Sequence, residues 1–428
     1  MTRMDLFMLT SLLAAHACTN ADATPAVGRP YRGFHAFTLQ LGQSENPETV
    51  RLVPNGTLAV LGSSKAKRVT LVQVEKSALT VLRTRALFPD DSGESELTNL
   101  ALNPTGDWAV VTHSLETRDP DTGAQTSCGG EILFVNTTDS VSFGTILGRV
   151  PVGPMPDAVA VSSDGHWVAV ANERDSAWGG KCQVPGYSGS VSLVDISQGL
   201  SAAIERSRVT MLDDDTDGRE PESLTFAADN DLLAVTLQDS HEVAFMRISA
   251  LVDGPAWDSD DVQLVRLPTN SLGMDPWPDG IVAFRTASGA EYFAVAGEWN
   301  DTLMILDLQG RLVTNHEIVA SEVPSDFPRD LSGEAPLFRP DSLAVFEADG
   351  SSYLAATLKH SGAIGIWEVK DPATMTVADV VKVGNIDAGT PTTPSTVGSE
   401  GLAASANGDT LVCANEGEGS ISLVRPAP

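Results

Sequence analysis

Cysteine is scarce in this chain, with four among 428 residues. That is too few to staple a fold together in place of a hydrophobic core. Aromatic residues make up only 6%. Past the N-terminus no apolar run is long enough to cross a bilayer as a helix. Bases are the largest shortfall: 27 Lys and Arg face 57 Asp and Glu, a net charge of −30. Phosphates would be repelled by such a surface, so no nucleic acid is expected as a partner, and a membrane is reached only through a covalent lipid. Also missing are a G-x-S-x-G elbow, a Gly-rich phosphate loop and a His-x-x-x-His zinc pair, and no organic cofactor is indicated.

What the chain does have is 42% apolar residues, ample for a core, and one pattern written seven times. Its clearest copy spans Arg339 to Val369: an acid after Pro opens a short apolar run, a turn follows, then a second apolar run, a second turn and an alternating third run. The seven openers are Glu48, Thr98, Asp157, Glu222, Asp279, Asp341 and Glu400, spaced 50, 59, 65, 57, 62 and 59 residues apart. Second strands are expected at Leu58–Leu61, Trp108–Thr112, Trp167–Ala171, Leu232–Thr236, Tyr292–Ala296, Tyr353–Thr357 and Thr410–Ala414. A weaker fourth run between copies fits an outer strand with one wet face.

Four antiparallel strands repeated at this period predict an all-β, seven-bladed β-propeller. The seventh copy ends after three strands, and the unassigned run His35–Leu41 is expected to supply its outer strand and close the ring. Residues 34–428 then form one propeller. Residues 1–23 read as an export leader and 24–33 as a tether. Cys18, after Ala15-His16-Ala17, resembles the lipidated cysteine of bacterial lipoproteins. Ala15 departs from the usual Leu or Val, and Ala21-Asp22-Ala23 offers simple secretion instead. The expected location is extracellular, periplasmic or membrane-tethered, and the expected state is a monomer.

If strand one is innermost, the openers and the ends of strand two share one face beside the central channel. That face would gather Glu48, Asp157, Glu222, Asp279, Asp341 and Glu400 with Glu173, Glu298 and Glu416. Carboxylates so placed suit a hard divalent cation, Ca²⁺ first, which takes six to eight oxygens. An acid after Pro also caps a turn with no ligand at all. The functional expectation is a binding or scaffold protein whose ligand at the channel face is a protein, a glycan or a small molecule. The alternative is a metal-dependent lactonase or phosphoester hydrolase, with His360 or His113 as the candidate base. Asp213 to Gly218 looks like a calcium loop but lacks the Glu of an EF-hand.

Two long inserts, Glu116–Gly130 and Arg174–Ser188, sit between strands two and three of neighbouring copies. They carry Cys128 and Cys182, which are expected to form a disulfide, and Trp178 and Tyr187 as candidate contacts. Cys413, inside an apolar run, reads as a buried thiol.

The motifs WPDGIVAF…AEYFAVAGEWNDTLMILDL, FRPDSLAVF…SSYLAATLKHSGAIGIWEVKDP and GSEGLAASANGDTLVCANEGEGSISLV resemble the choice-of-anchor I propeller domains, relatives of the mesenchyme-specific cell-surface glycoproteins. The likeness is strongest from Asp279 to the C-terminus, and earlier copies show the pattern common to YVTN-type and lactonase-like propellers. The resemblance implies an exported or surface-attached protein. It also implies a phosphatase-like activity for some members, which no motif here supports.

Overall fold

The repeat pattern folds as it reads. In a computed structural model the chain forms seven sheets in a ring, described for residues 14–16, 33–42, 45, 47–64, 66–88, 96–118, 125–173, 188–211, 219–253, 262–329, 337–384 and 398–427. Cys18, Cys182, Trp178, Tyr187 and the Asp213–Gly218 stretch lie outside the described residues.

Blades one to six each hold four strands in sequence order, as in blade three with Pro156–Val161, Trp167–Asn172, Ser190–Asp195 and Ile204–Thr210. Blade seven takes three strands from the C-terminal end, Ser399–Ala404, Leu411–Asn415 and Ser420–Pro426. Its outer strand, Phe34–Gln40, comes from the other end of the chain. Phe34 pairs with Pro426 and Gln40 with Ser420 in unbroken antiparallel register, and a short strand, Ala14–His16, flanks it. This closure removes the two open edges the sheet series would otherwise present.

The core consists of seven apolar clusters, one at each blade–blade interface. Their composition explains why strand two reads as a continuous apolar run. In Trp167–Asn172, Val168 and Val170 face blade two while Ala169 and Ala171 face blade four. Side chains alternate along a strand, so burial on both faces makes every position apolar. Outer strands see solvent on one side, and Ile204–Thr210 alternates accordingly.

Blade two departs from expectation. Its second and third strands run on as a long hairpin, Trp108–Arg118 against Gln125–Asn136, so much of the insert at 116–130 is strand rather than loop. Its first strand is only Leu100–Leu102, which leaves Thr98 before it. Blades three and five carry outer strands, Ile204–Thr210 and Leu312–Glu317, that the sequence pattern leaves unmarked.

Candidate functional site

Six of the seven first strands begin with a β-bulge, and the acidic opener sits in it. In blade five Pro278 pairs with Gly297 and Ile281 with Val295, so Asp279 and Gly280 together oppose Ala296. Glu222, Asp341 and Glu400 share that arrangement, and Asp157 and Glu48 each form a one-residue bulge. A bulge adds a residue to one strand and re-aims its side chain. The first strands of adjacent blades pack on one another around the axis, so the bulged acids collect at one mouth of the channel.

A second ring follows from the register. The backbone N–H of Glu173, Gln238, Glu298 and Lys359 each bonds the carbonyl of the residue before the Pro, respectively Met155, Glu220, Trp277 and Arg339, at 2.8, 2.9, 3.3 and 3.0 Å. Glu416 bonds Gly398 in the same way, and Ser114 bonds Glu96 at 2.9 Å. Three of those pre-proline residues, Met155, Trp277 and Arg339, hold left-handed backbones, with φ of 52°, 46° and 52°. This conformation is costly for a bulky residue and persists where surrounding contacts fix it.

The two rings meet. Asp279, Glu298 and Asp341 each offer a carboxylate oxygen, and these lie within 4.8 Å of one another. Glu298 and Asp341 are buried and Asp279 is half-buried. Glu222 faces Asp157, Asp279, Glu173 and Glu220; burial first, then those charges, pushes its carboxyl well above the ordinary range. Burial and the neighbouring Asp341, Glu298 and Glu400 do the same to Asp279. Burial and a hydrogen-bonded partner, Glu400, raise Glu416. Like charges in a poorly hydrated site favour proton uptake. Glu48 occupies the equivalent bulge of blade one, and a Cβ on Gly401 would lie 2.6 Å from its carbonyl oxygen.

Sequence reasoning missed the bases. Lys359 takes the second-ring position of blade six. Its Nζ lies 3.0 Å from Asp341 and 3.8 Å from Glu298 and also bonds Glu400. Burial alone would lower its pKa, but these carboxylates raise it well above the ordinary value. Arg339 pairs with Glu298 while its guanidinium lies 4.6 Å over the Trp299 ring. Arg51 of blade one donates to Thr49 and Val50 and across to Asn99 of blade two, and burial draws it down to about 10. Glu220, one residue before Pro221, is a further acid the opener pattern leaves out. A comparison of the strand-two ends reveals Lys359, because that position carries Glu in blades three, five and seven.

Neither candidate histidine takes the ring register. His113 precedes Ser114 by one residue, and alternation turns it away from that position. It is buried, with Nδ1 3.0 Å from Glu131 and its ring stacked 3.6 Å from Phe88. His360 follows Lys359 and is buried. Cys413 is a free, buried thiol, raised by burial and by Asp341 and Glu400. Cys128 is disulfide-bonded.

Set against known proteins, part of the chain matches a family model. Residues 49–219 match the choice-of-anchor I domain. The match falls on blades one to three, upstream of the segment from Asp279 onward whose motifs carry the resemblance in the sequence. No curated protein matches the chain. Among solved structures, a streptogramin B lyase is 12% identical with a TM-score of 0.57, over 93% of this chain and 99% of that one. The virginiamycin B lyase of Staphylococcus aureus is 13% identical, TM-score 0.54, over 92% and 99%. The periplasmic gluconolactonase of Pseudomonas aeruginosa is 16% identical, TM-score 0.57, over 84% and 88%. At such identities the likeness is one of fold. Among the described residues no helix is long and apolar enough to cross a membrane.

Proposed function

We propose that this protein is an exported or surface-attached binding propeller that holds a divalent cation, Ca²⁺ foremost, at its acidic channel mouth. The observation that carries this reading is the approach of Asp279, Glu298 and Asp341 to within 4.8 Å. Glu222, Glu400 and Glu416 lie within electrostatic reach of Asp279 or Asp341, and Asp157, Glu173 and Glu48 would add oxygens farther round the ring. Lys359 and Arg339 offset part of the charge on Glu298 and Asp341; the remaining repulsion favours a proton or a bound cation, and oxygen-only sites select hard ions. The choice-of-anchor I match supports display outside the cytoplasm, and a protein, glycan or small-molecule ligand fits a rigid disc with one charged face.

The packing of the histidines supports binding over hydrolysis. His113 is held between Glu131 and Phe88, and His360 is buried. The deciding experiment is elemental analysis of protein purified without chelator, with melting curves in Ca²⁺ and in EDTA. Bound cation and a higher melting temperature in Ca²⁺, lost in Asp279→Asn, are expected. No bound metal together with superimposable curves would reject the site. Turnover of lactones or phosphate esters, abolished by Asp279→Ala, would move the assignment to a hydrolase.

A further inference from the structure

Aligned on its backbone bond to the segment that leads into strand one, the second ring reads Ser114, Glu173, Gln238, Glu298, Lys359 and Glu416 from blade two to blade seven. One of these positions carries a base. Lys359 reaches Asp341 of its own blade, Glu298 of the blade before and Glu400 of the blade after. Glu298 and Asp341 are two of the three carboxylates that approach at ligand spacing. An ammonium group and an incoming metal ion therefore compete for the same carboxylates.

Two other buried atoms point to a ligand. Oε1 of Gln238 has no hydrogen-bond partner among the described residues, although the residue is only 1% exposed. Oε1 of Glu416 is likewise without a partner, with the residue 6% exposed. A buried acceptor left without a donor has lost its hydration and gained nothing in return. Both occupy the ring register that carries Glu298 and Lys359 to the mouth. Glu416 shares a hydrogen bond with Glu400, so the Gln238 oxygen is the acceptor for which the described residues supply no donor, and a cation satisfies such an atom.

We infer that Lys359 is the resident counter-ion of the channel mouth and the residue that determines which cation can enter. This rests on the cation-binding reading above and names its control. A monovalent ion brings the charge of the ammonium and none of its N–H donors, so it gains nothing by displacing Lys359. A divalent ion brings twice the charge to the same oxygens and displaces it. The lysine thereby selects divalent over monovalent ions by competition rather than by cavity size.

The test titrates CaCl₂ calorimetrically into chelator-stripped wild type, Lys359→Gln and Lys359→Arg, each with and without Na⁺. Lys359→Gln should bind Ca²⁺ about tenfold more tightly, a shift of about 1.4 kcal/mol, and should become sensitive to Na⁺. Lys359→Arg, which keeps the charge, should not tighten. Equal Ca²⁺ affinity in wild type and the Gln variant overturns the role of Lys359 and leaves the site standing. Absence of binding in both overturns the site itself. Should Lys359→Gln not fold, wild type alone decides by reductive methylation read by mass spectrometry. Ca²⁺ should speed modification of the Lys359 amine relative to EDTA, and an unchanged rate overturns the proposal.

Discussion

The carboxylate of Asp301 accepts the backbone N–H of Arg339 at 2.8 Å, so blade five fixes the residue that leads blade six into the channel mouth. The same carboxylate receives Leu337 and Phe338 at 2.7 and 3.0 Å. Three N–H groups converge on one side chain, and Arg339 is held in its left-handed backbone beside Glu298 and Trp299. Asp301→Ala should therefore lower the unfolding free energy by about 3 kcal/mol, since it strands several donors at once. Asp301→Asn, which keeps an acceptor, should cost about half of that. Denaturant titration of the pair reads both. Equal and small losses would mean that the loop is held by other contacts.

The pH response follows from the acids with raised pKa values. Burial pushes Asp301 up to about 6 against its three N–H bonds, and Glu222, Asp279 and Glu416 are also raised. An acid raised in the folded state binds its proton more tightly there than in the unfolded chain. Its contribution is complete below the unfolded carboxyl range and is lost as pH rises through the folded value. Acids such as Asp139, held at about 2 by Ser142, act oppositely and lose their contribution as pH falls. In EDTA the melting temperature should rise as pH is lowered from neutrality to about 5, then fall below about 4. Ca²⁺ should flatten the rise, because the ion replaces the protons. A melting temperature that falls steadily from pH 7 downward in EDTA would contradict the raised acids.

The architecture was open to sequence reading for a physical reason. Strands such as Trp167–Asn172 are buried on both faces, so they appear as apolar runs bounded by turns, and the closing strand appears as one run without a copy of its own. The acidic openers were equally visible, but their bulges were not. A bulge is a property of two strands in register, and Asp279 alone does not announce that it shares one partner position with Gly280. The bases were hidden by distance along the chain. Lys359 meets Glu298 and Glu400 from neighbouring blades, and a contact between blades leaves no local pattern. His113, expected at a strand end, lies within strand two, because that strand of blade two continues to Arg118.

The outer strand of blade seven bears a structural load despite its small size. Phe34 and Ala36 pack into the cluster between blades six and seven, and Phe37 and Leu39 pack against the one between seven and one. Thr38 bonds Ser422 through their hydroxyls at 2.9 Å. Deletion of residues 34–40 should expose the edge of Ser420–Pro426 and open the ring. Loss of cooperative melting and aggregation on heating are expected, with recovery when a peptide spanning residues 33–41 is added in trans. A deletion variant that melts like the full chain would show that the propeller closes without this strand.

The spacing of the Asp279 and Asp341 carboxylates depends on a glycine. A Cβ on Gly280 would fall inside contact distance of the Asp341 carbonyl oxygen, because the first strands of blades five and six run side by side without a side chain between them. Gly280→Ala must push those strands apart and carry Asp279 away from Asp341. Overpacking of this kind costs about 1–3 kcal/mol. Gly289→Ala is the matched control: its φ of +84° makes the substitution strained, yet nothing lies within 4 Å of the new Cβ, so it should cost about 1–2 kcal/mol without moving a blade. Both variants should melt earlier, but only Gly280→Ala should lose Ca²⁺ affinity in calorimetric titration. Equal affinity in the two would show that the approach of Asp279 to Asp341 does not govern binding, and the cation would then have to be held by acids on other blades.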